Sequence, residues 1–180
     1  MNFIGLIYYF VSVLSIALYV ASVQFKSKKN ILVTQFFASM CYLIVYLIKG
    51  AYSGAYIEVL EEVKDIVFIK YEKKGKNIPL AILIVFIVLL FIVSIIFYDG
   101  ILSILPLLIN IILFISTYYK NPKYIRWVML LSGLMWGIYN IYVGAYVIVI
   151  GNILEVISAI IAILKFKDVD NNFDKKDMMK

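Results

Sequence analysis

GAYSGAYIEVLEEVKDIVFIK, residues 50–70, is the stretch whose reading decides the fold. Five ionisable side chains, Glu58, Glu61, Glu62, Lys64 and Asp65, stand between the apolar flanks Tyr56-Ile57 and Ile66-Val67-Phe68-Ile69. Its opening tripeptide Gly50-Ala51-Tyr52 returns as Gly144-Ala145-Tyr146, and the same offset places Leu60-Glu61 on Leu154-Glu155. Followed backwards, the offset sets Ser22, Lys26, Lys29 and Ile31 on Ser116, Lys120, Lys123 and Ile125, with no gap needed between residues 22 and 73. A charged segment therefore belongs to a duplicated unit.

Around it lie apolar runs at 2–24, 31–48, 51–69, 78–97, 101–119, 127–142 and 146–164. Each is close to the roughly 20 residues that a helix needs to cross a bilayer. Lys26, Lys28 and Lys29 follow the first run, Lys70, Lys73, Lys74 and Lys76 the third, and Lys120, Lys123 and Arg126 the fifth. Lys165, Lys167, Lys175, Lys176 and Lys180 follow the seventh, whereas the intervening connections carry only Lys49. Basic loops stay cytoplasmic, so this alternation predicts an N-terminus outside and a C-terminus in the cytoplasm. The first run has no basic leader and no small-x-small cleavage site, so it is expected to be retained as a span.

Composition points the same way. A chain that is 64% hydrophobic and 16% charged, with a mean hydropathy of +1.00, is far from a soluble domain, in which about half the residues are apolar. The net charge of +6 sits in juxtamembrane loops, where orientation and anionic lipid account for it, so nucleic acid is not an expected partner. The single Cys41 lies inside the second run, which excludes an intramolecular disulfide and a cysteine metal site, and there is no histidine. No nucleophile, base and metal constellation exists outside the acidic segment. An enzyme is not expected, nor a metal or other cofactor.

The predicted fold class is all-α: a polytopic membrane protein of seven transmembrane helices, two parallel three-helix repeats joined by a linker helix (3+1+3). A triple duplicates in the same orientation only if an odd span separates the copies. The first repeat takes residues 1–76, the linker helix 77–99, the second repeat 100–167, and a disordered cytoplasmic tail 168–180. Gly50 and Gly144 read as helix stops and Asp99-Gly100 as a turn. Pro106 in the fifth run reads either as a hinge or as a proline tolerated with its carbonyls satisfied locally.

Each charge at a helix centre costs roughly 2.5 to 3.5 kcal/mol on insertion scales, while an apolar residue returns about 0.3 to 0.6. The third helix therefore cannot face lipid all round. At 100° per residue Glu58, Glu61, Glu62 and Asp65 share an arc of about 100°, with Lys64 an (i, i+3) partner of Glu61. The stripe is either an ionic seam between helices or the wall of a water-filled cavity. An interfacial helix over 51–76 would put the Lys70–Lys76 cluster outside and break the repeat. Parallel repeats place a solute site near the midplane between the halves, which singles out matched pairs. Glu61 matches Glu155, and Glu58 matches Asn152. With Glu62 and Asp65, the Glu61/Glu155 pair forms the expected proton or ion pathway. Two carboxylates at close range do not both ionise cheaply. Asn152 would bond a neighbouring helix or a substrate hydroxyl. Tyr42 in the second helix matches Trp136 in the sixth, and flat aromatic faces suit a sugar ring while amides and carboxylates serve its hydroxyls. Glu58, Asn152, Tyr42 and Trp136 are thus the expected substrate-binding residues.

Gly50-Ala51-Tyr52-Ser53-Gly54-Ala55 followed by Lys64-Asp65, then Trp136-Gly137-Ile138-Tyr139-Asn140 and the closing Glu155, Ser158 and Lys165, resembles the YgjV-type bacterial inner-membrane proteins over residues 3–167. That family is similar in topology to the SWEET and PQ-loop transporters, which carry sugars or other small solutes by alternating access between two triple-helix bundles. The SWEET resemblance implies an asparagine on the third helix of each bundle and an aromatic on the second. Asn152 and Trp136 match, Tyr42 is a variant, and Glu58 replaces the other asparagine. There is no Pro-Gln motif, and Ser12 stands where Pro106 stands in the second half. These departures speak against the rocking mechanism and a neutral-sugar substrate, and the acidic stripe suits a cationic or polyhydroxylated solute, or proton coupling, better than an anion. The expectation is a facilitator of a small polar solute, a sugar or polyol, in the bacterial inner membrane. Proton-coupled or cation transport through the acidic stripe, and a non-transporting membrane scaffold, are the alternatives. Its partners are the lipid bilayer and that solute, with a homo-oligomer left open.

The orientation has a direct check. A reporter that matures only in the cytoplasm, fused after Lys76 or Lys180, is expected to be bright, and fused after Asp99 to be dark. The opposite pattern would reverse the topology.

Overall fold

Capping chemistry sets where the apolar runs begin and end as helices. The computed structural model describes residues 3–178 and, beyond Lys167, the side chains of Val169 and Asp170 only. Its helices are α1 Phe3–Ser22, α2 Lys28–Lys49, α3 Tyr52–Lys73, α4 Leu80–Ile96, α5 Ile104–Tyr118, α6 Pro122–Tyr142 and α7 Tyr146–Met178, with a 3-10 turn at Ile101–Ser103 leading into α5. The described residues are all-α. Ser27 caps α2 by accepting from the Asn30 N–H at 3.2 Å, and Asn121 caps α6 by accepting from the Lys123 N–H at 3.0 Å. Both helices end on a glycine in the left-handed region, Gly50 at φ 67° and Gly144 at φ 69°. Past those glycines the Ala51 N–H returns to the Tyr46 carbonyl at 2.9 Å and the Ala145 N–H to the Asn140 carbonyl at 2.8 Å. This closes the last turn as a Schellman-type cap does.

Among the described residues, four segments are long and apolar enough to cross a membrane: Phe3–Ser22, Lys28–Lys49, Ile101–Tyr118 and Tyr146–Lys167. Leu80–Ile96 is apolar but shorter. Between Tyr52 and Ile66, α3 turns an apolar stripe outward and its charges away from it. Tyr52, Tyr56, Val59, Val63 and Ile66 form an exposed apolar stripe, while Glu58, Glu61, Lys64 and Asp65 are buried. The periodicity that buries the charges thus turns an apolar face outward.

In packing, α1 lies against α2 and α7, α2 against α3, α3 against α5, and α6 against α5 and α7. These contacts close a ring of six helices, and α4 lies against α3 and α5 beside it. The interior of the ring is polar for its size. Ser12, Ser15, Ser22, Gln35, Ser39, Asn110, Ser132 and Asn140 are all buried. Several hydroxyls bond back to their own helix, Ser15 to the Ser12 carbonyl at 2.8 Å and Ser116 to the Leu113 carbonyl at 2.7 Å.

Three expectations change. The disordered tail expected from 168 is instead a continuation of α7, helical to Met178, and residues 179 and 180 lie outside the described ones. Phe166 and Asp170 share one helix face and are both buried. Arg126 explains why. Its Nη1 donates to both carboxylate oxygens of Asp170 at 2.7 Å, and its guanidinium lies 4.4 Å from the centre of the Phe166 ring. Arg126 is correspondingly no loop charge but a buried residue of α6, whose Nη2 donates to the Phe25 carbonyl at 2.9 Å. Pro106 falls in the first turn of α5, where a backbone N–H would have no intrahelical acceptor. No kink is required of it.

α6 approaches α7 closely at Gly133. A Cβ on Gly133 would stand 2.5 Å from Val156 Cγ2 and 2.9 Å from the Asn152 carbonyl oxygen. Gly133→Ala is therefore expected to lower stability by about 1 to 3 kcal/mol, the usual cost of overpacking a core. Thermal unfolding in detergent, with Gly137→Ala as the uncrowded control, measures it.

Candidate functional site

Near the ends of α2 and α6 that lead into α3 and α7, aromatic rings line up across the ring of helices. Tyr42 stacks on Tyr46 with centroids 6.3 Å apart, and Tyr46 stacks on Trp136 at 5.7 Å. Tyr19 of α1 meets Tyr42 edge-on at 5.5 Å. Offset or edge-on aromatic pairs of this separation are favourable beyond their buried area. The row is pinned by hydrogen bonds rather than by packing alone. The Tyr46 hydroxyl donates to Asn140 Oδ1 at 3.0 Å, and Asn140 Nδ2 donates to Asn152 Oδ1 at 3.0 Å. The Tyr139 hydroxyl accepts from the Gly54 N–H at 2.9 Å and bonds Ser53 Oγ at 2.8 Å. The start of α3 is thereby fastened to the end of α6.

These residues enclose a cavity lined by Tyr19, Tyr42, Tyr46, Glu58, Trp136, Asn152 and Glu155. The volume open to the centre of a water-sized sphere is about 10 Å³, room for about one water molecule. It is far below the roughly 300 Å³ of a small-molecule site. The cavity is therefore too small for a solute in this conformation. All four residues expected to bind substrate, Glu58, Asn152, Tyr42 and Trp136, line it. Of the residues expected in a proton or ion pathway, Glu155 lines it and Glu61, Glu62 and Asp65 do not.

The remaining acids of α3 go elsewhere. Lys64 Nζ lies 2.9 Å from Asp65 Oδ1 and 3.5 Å from Glu61 Oε1, and 4.7 Å from the centre of the Phe114 ring of α5. Asp65 is thus a closer partner of Lys64 than Glu61, the (i, i+3) neighbour expected from spacing. Glu62 is half-buried. Among the described residues no group of three His, Cys, Asp or Glu side chains could hold a metal ion.

Tyr19 and Tyr46 were not expected at the site. Tyr46 had a legible signal, because it matches the polar Asn140 at the repeat offset. Tyr19 had none, since its counterpart is Leu113 and it is one tyrosine among fifteen.

The Imp-YgjV family model, described as a bacterial inner membrane protein, matches residues 6–169. The chain belongs to this family. No curated protein and no solved structure matches it.

In this YgjV-type protein the two kinds of buried acid can be separated by mutation. Lys64→Met strands Asp65 and Glu61 without their cation, and breaking a buried pair in this way costs about 3 to 5 kcal/mol. The triple substitution Lys64→Met, Asp65→Leu, Glu61→Gln removes the stranded charges and is expected to recover most of that loss. Melting temperatures of the purified variants decide it.

Proposed function

We propose that this inner-membrane protein is a transporter of a small polar solute, a sugar or polyol in the first instance. In this reading all seven helices span the membrane as two triple-helix repeats, α1 to α3 and α5 to α7, with α4 as the linker. The N-terminus is outside and the C-terminus cytoplasmic. The observation that carries the reading is the small polar cavity. It gathers an amide, two carboxylates and four flat rings from α1, α2, α3, α6 and α7.

Support for the repeat comes from contacts that exchange under its offset. Gln35 Nε2 donates to Met129 Sδ at 3.2 Å and Tyr46 to Asn140, each pair 94 positions apart. Residues of matched position touch one another only near a two-fold axis. Lys64 of α3 meets Phe114 of α5, while their counterparts Ser158 of α7 and Val20 of α1 are joined by a hydrogen bond from Ser158 Oγ to the Val20 carbonyl at 2.8 Å. The axis passes between α2 and α6, beside the cavity. The stripe of exposed apolar residues on α3 supports its place as a span despite its charges.

A solute larger than water enters only if the ring opens. Two seams between the halves would permit it, α1 against α7 and α3 against α5. The α1/α7 seam is fastened by Gln24 Nε2, which donates to the Ser158 carbonyl and to Ser158 Oγ, both at 2.9 Å. Opening one seam while the other holds would present the cavity to one side at a time, the geometry of alternating access.

Proteoliposomes carrying the native chain are expected to exchange labelled solute saturably within a panel of sugars, polyols and small amines. The Glu58→Ala, Asn152→Ala double variant, if it folds as judged by its melting profile, is expected to lose at least about tenfold in rate. Absence of exchange by folded native protein across the panel would overturn transport and leave a membrane scaffold.

A further inference from the structure

The acids of this protein divide into those with a cation and those without. Glu61 and Asp65 share Lys64, Glu72 lies 2.7 Å from Lys28, and Asp170 is held by Arg126. Glu58 and Glu155 are 5% and 2% exposed, and among the described residues neither forms an ion pair. Glu155 is hydrogen-bonded to the Asn152 side chain, but its Oε1 is buried without a hydrogen-bond partner. Both carboxylates line the same cavity, whose walls contain no lysine or arginine.

A buried carboxylate without a partner costs several kcal/mol, so it is neutralised by a proton or by a cation that comes to it. The walls say which kind of cation fits. Tyr19, Tyr42, Tyr46 and Trp136 bring aromatic rings to the wall, and the negative face of an aromatic ring attracts an ammonium group, most strongly in a water-excluded site. Among the described residues no group of three His, Cys, Asp or Glu side chains could hold a metal ion.

We infer that the cavity binds a small organic cation, an ammonium compound seated between Glu58 and Glu155 against the rings of Tyr19, Tyr42, Tyr46 and Trp136. The inference deepens the transport reading by giving its solute a charge and a class. The cation supplies the positive charge that the protein supplies to its other buried acids. A neutral polyol leaves both carboxylates to be neutralised by protons alone.

The test uses the full chain in detergent with Trp127→Phe, which leaves Trp136 as the sole tryptophan, and follows its fluorescence. Tetramethylammonium and methylammonium chloride are titrated against sodium chloride and sorbitol at matched ionic strength and osmolarity. A saturable change with the ammonium salts and not with sodium or sorbitol is expected. It should weaken at least about tenfold in folded Glu155→Gln and Glu58→Gln variants and persist in Glu62→Gln. A response to sorbitol but not to the ammonium salts would overturn the cation while leaving transport of a polyol standing. No response to any probe, or an ammonium response undiminished in both glutamine variants, would also overturn it. If neither variant folds, the contrast between ammonium and sorbitol on the native cavity decides alone. Labelled exchange in proteoliposomes separately judges whether anything is transported.

Discussion

One ammonium group, Lys64 Nζ, conditions the arrangement of everything around it. It is fully buried, and an isolated charge in such a place is not tolerated, so Asp65 and Glu61 must accompany it. Three ionisable groups on one helix then dictate that helix's neighbours. α3 needs α2 on one flank and α5 on the other to cover them, and the Phe114 face closes over the ammonium. The opposite side of α3, from Tyr52 to Ile66, is apolar and exposed. A helix with too many charges for an apolar span is in this way made compatible with an apolar exterior.

The same principle governs the end of the bundle that bears most of the lysines. Lys28 at the start of α2 reaches Glu72 at the end of α3, and Arg126 near the start of α6 reaches Asp170 in the C-terminal part of α7. Arg126 does more than pair. Its Nη2 bond to the Phe25 carbonyl draws the α1–α2 connection against α6 and α7. Against this background of compensated acids, Glu58 and Glu155 stand out, for they face each other's neighbourhood across a cavity walled by aromatic rings. Among the described residues Glu62, half-buried, also lacks a cation, but of the acids without one only Glu58 and Glu155 line the cavity.

Helix count and position were legible because hydropathy and lysine clusters report burial in lipid directly, and the glycine stops were legible because a left-handed cap favours glycine whatever surrounds it. Two readings failed for a shared reason. The segment beyond 167 reads as disordered because its polar residues have no visible partner in sequence. That partner, Arg126, is 44 positions away. Arg126 in turn reads as a loop charge because nothing local reveals Asp170 or Phe166. Pro106 reads as mid-span because the apolar run begins before the helix does, the first residues being taken up by a 3-10 turn.

The sequence by itself determined that the chain is all-α and that it belongs in a membrane, and one offset of the sequence sets Glu58 on Asn152 and Tyr42 on Trp136. These follow from composition, period and repetition, which are properties of the chain read in one dimension. Which acids would be neutralised and which left open was decided only by tertiary structure. Glu58, Glu61, Glu62 and Asp65 look alike as one stripe on a helix, and (i, i+3) spacing assigns Lys64 to Glu61 first. Their fates diverge because α3 crosses two different environments. Lys64 gathers Asp65 and Glu61 against α5, while Glu58, nearer the start of α3, opens onto the aromatic cavity built by α1, α2, α6 and α7.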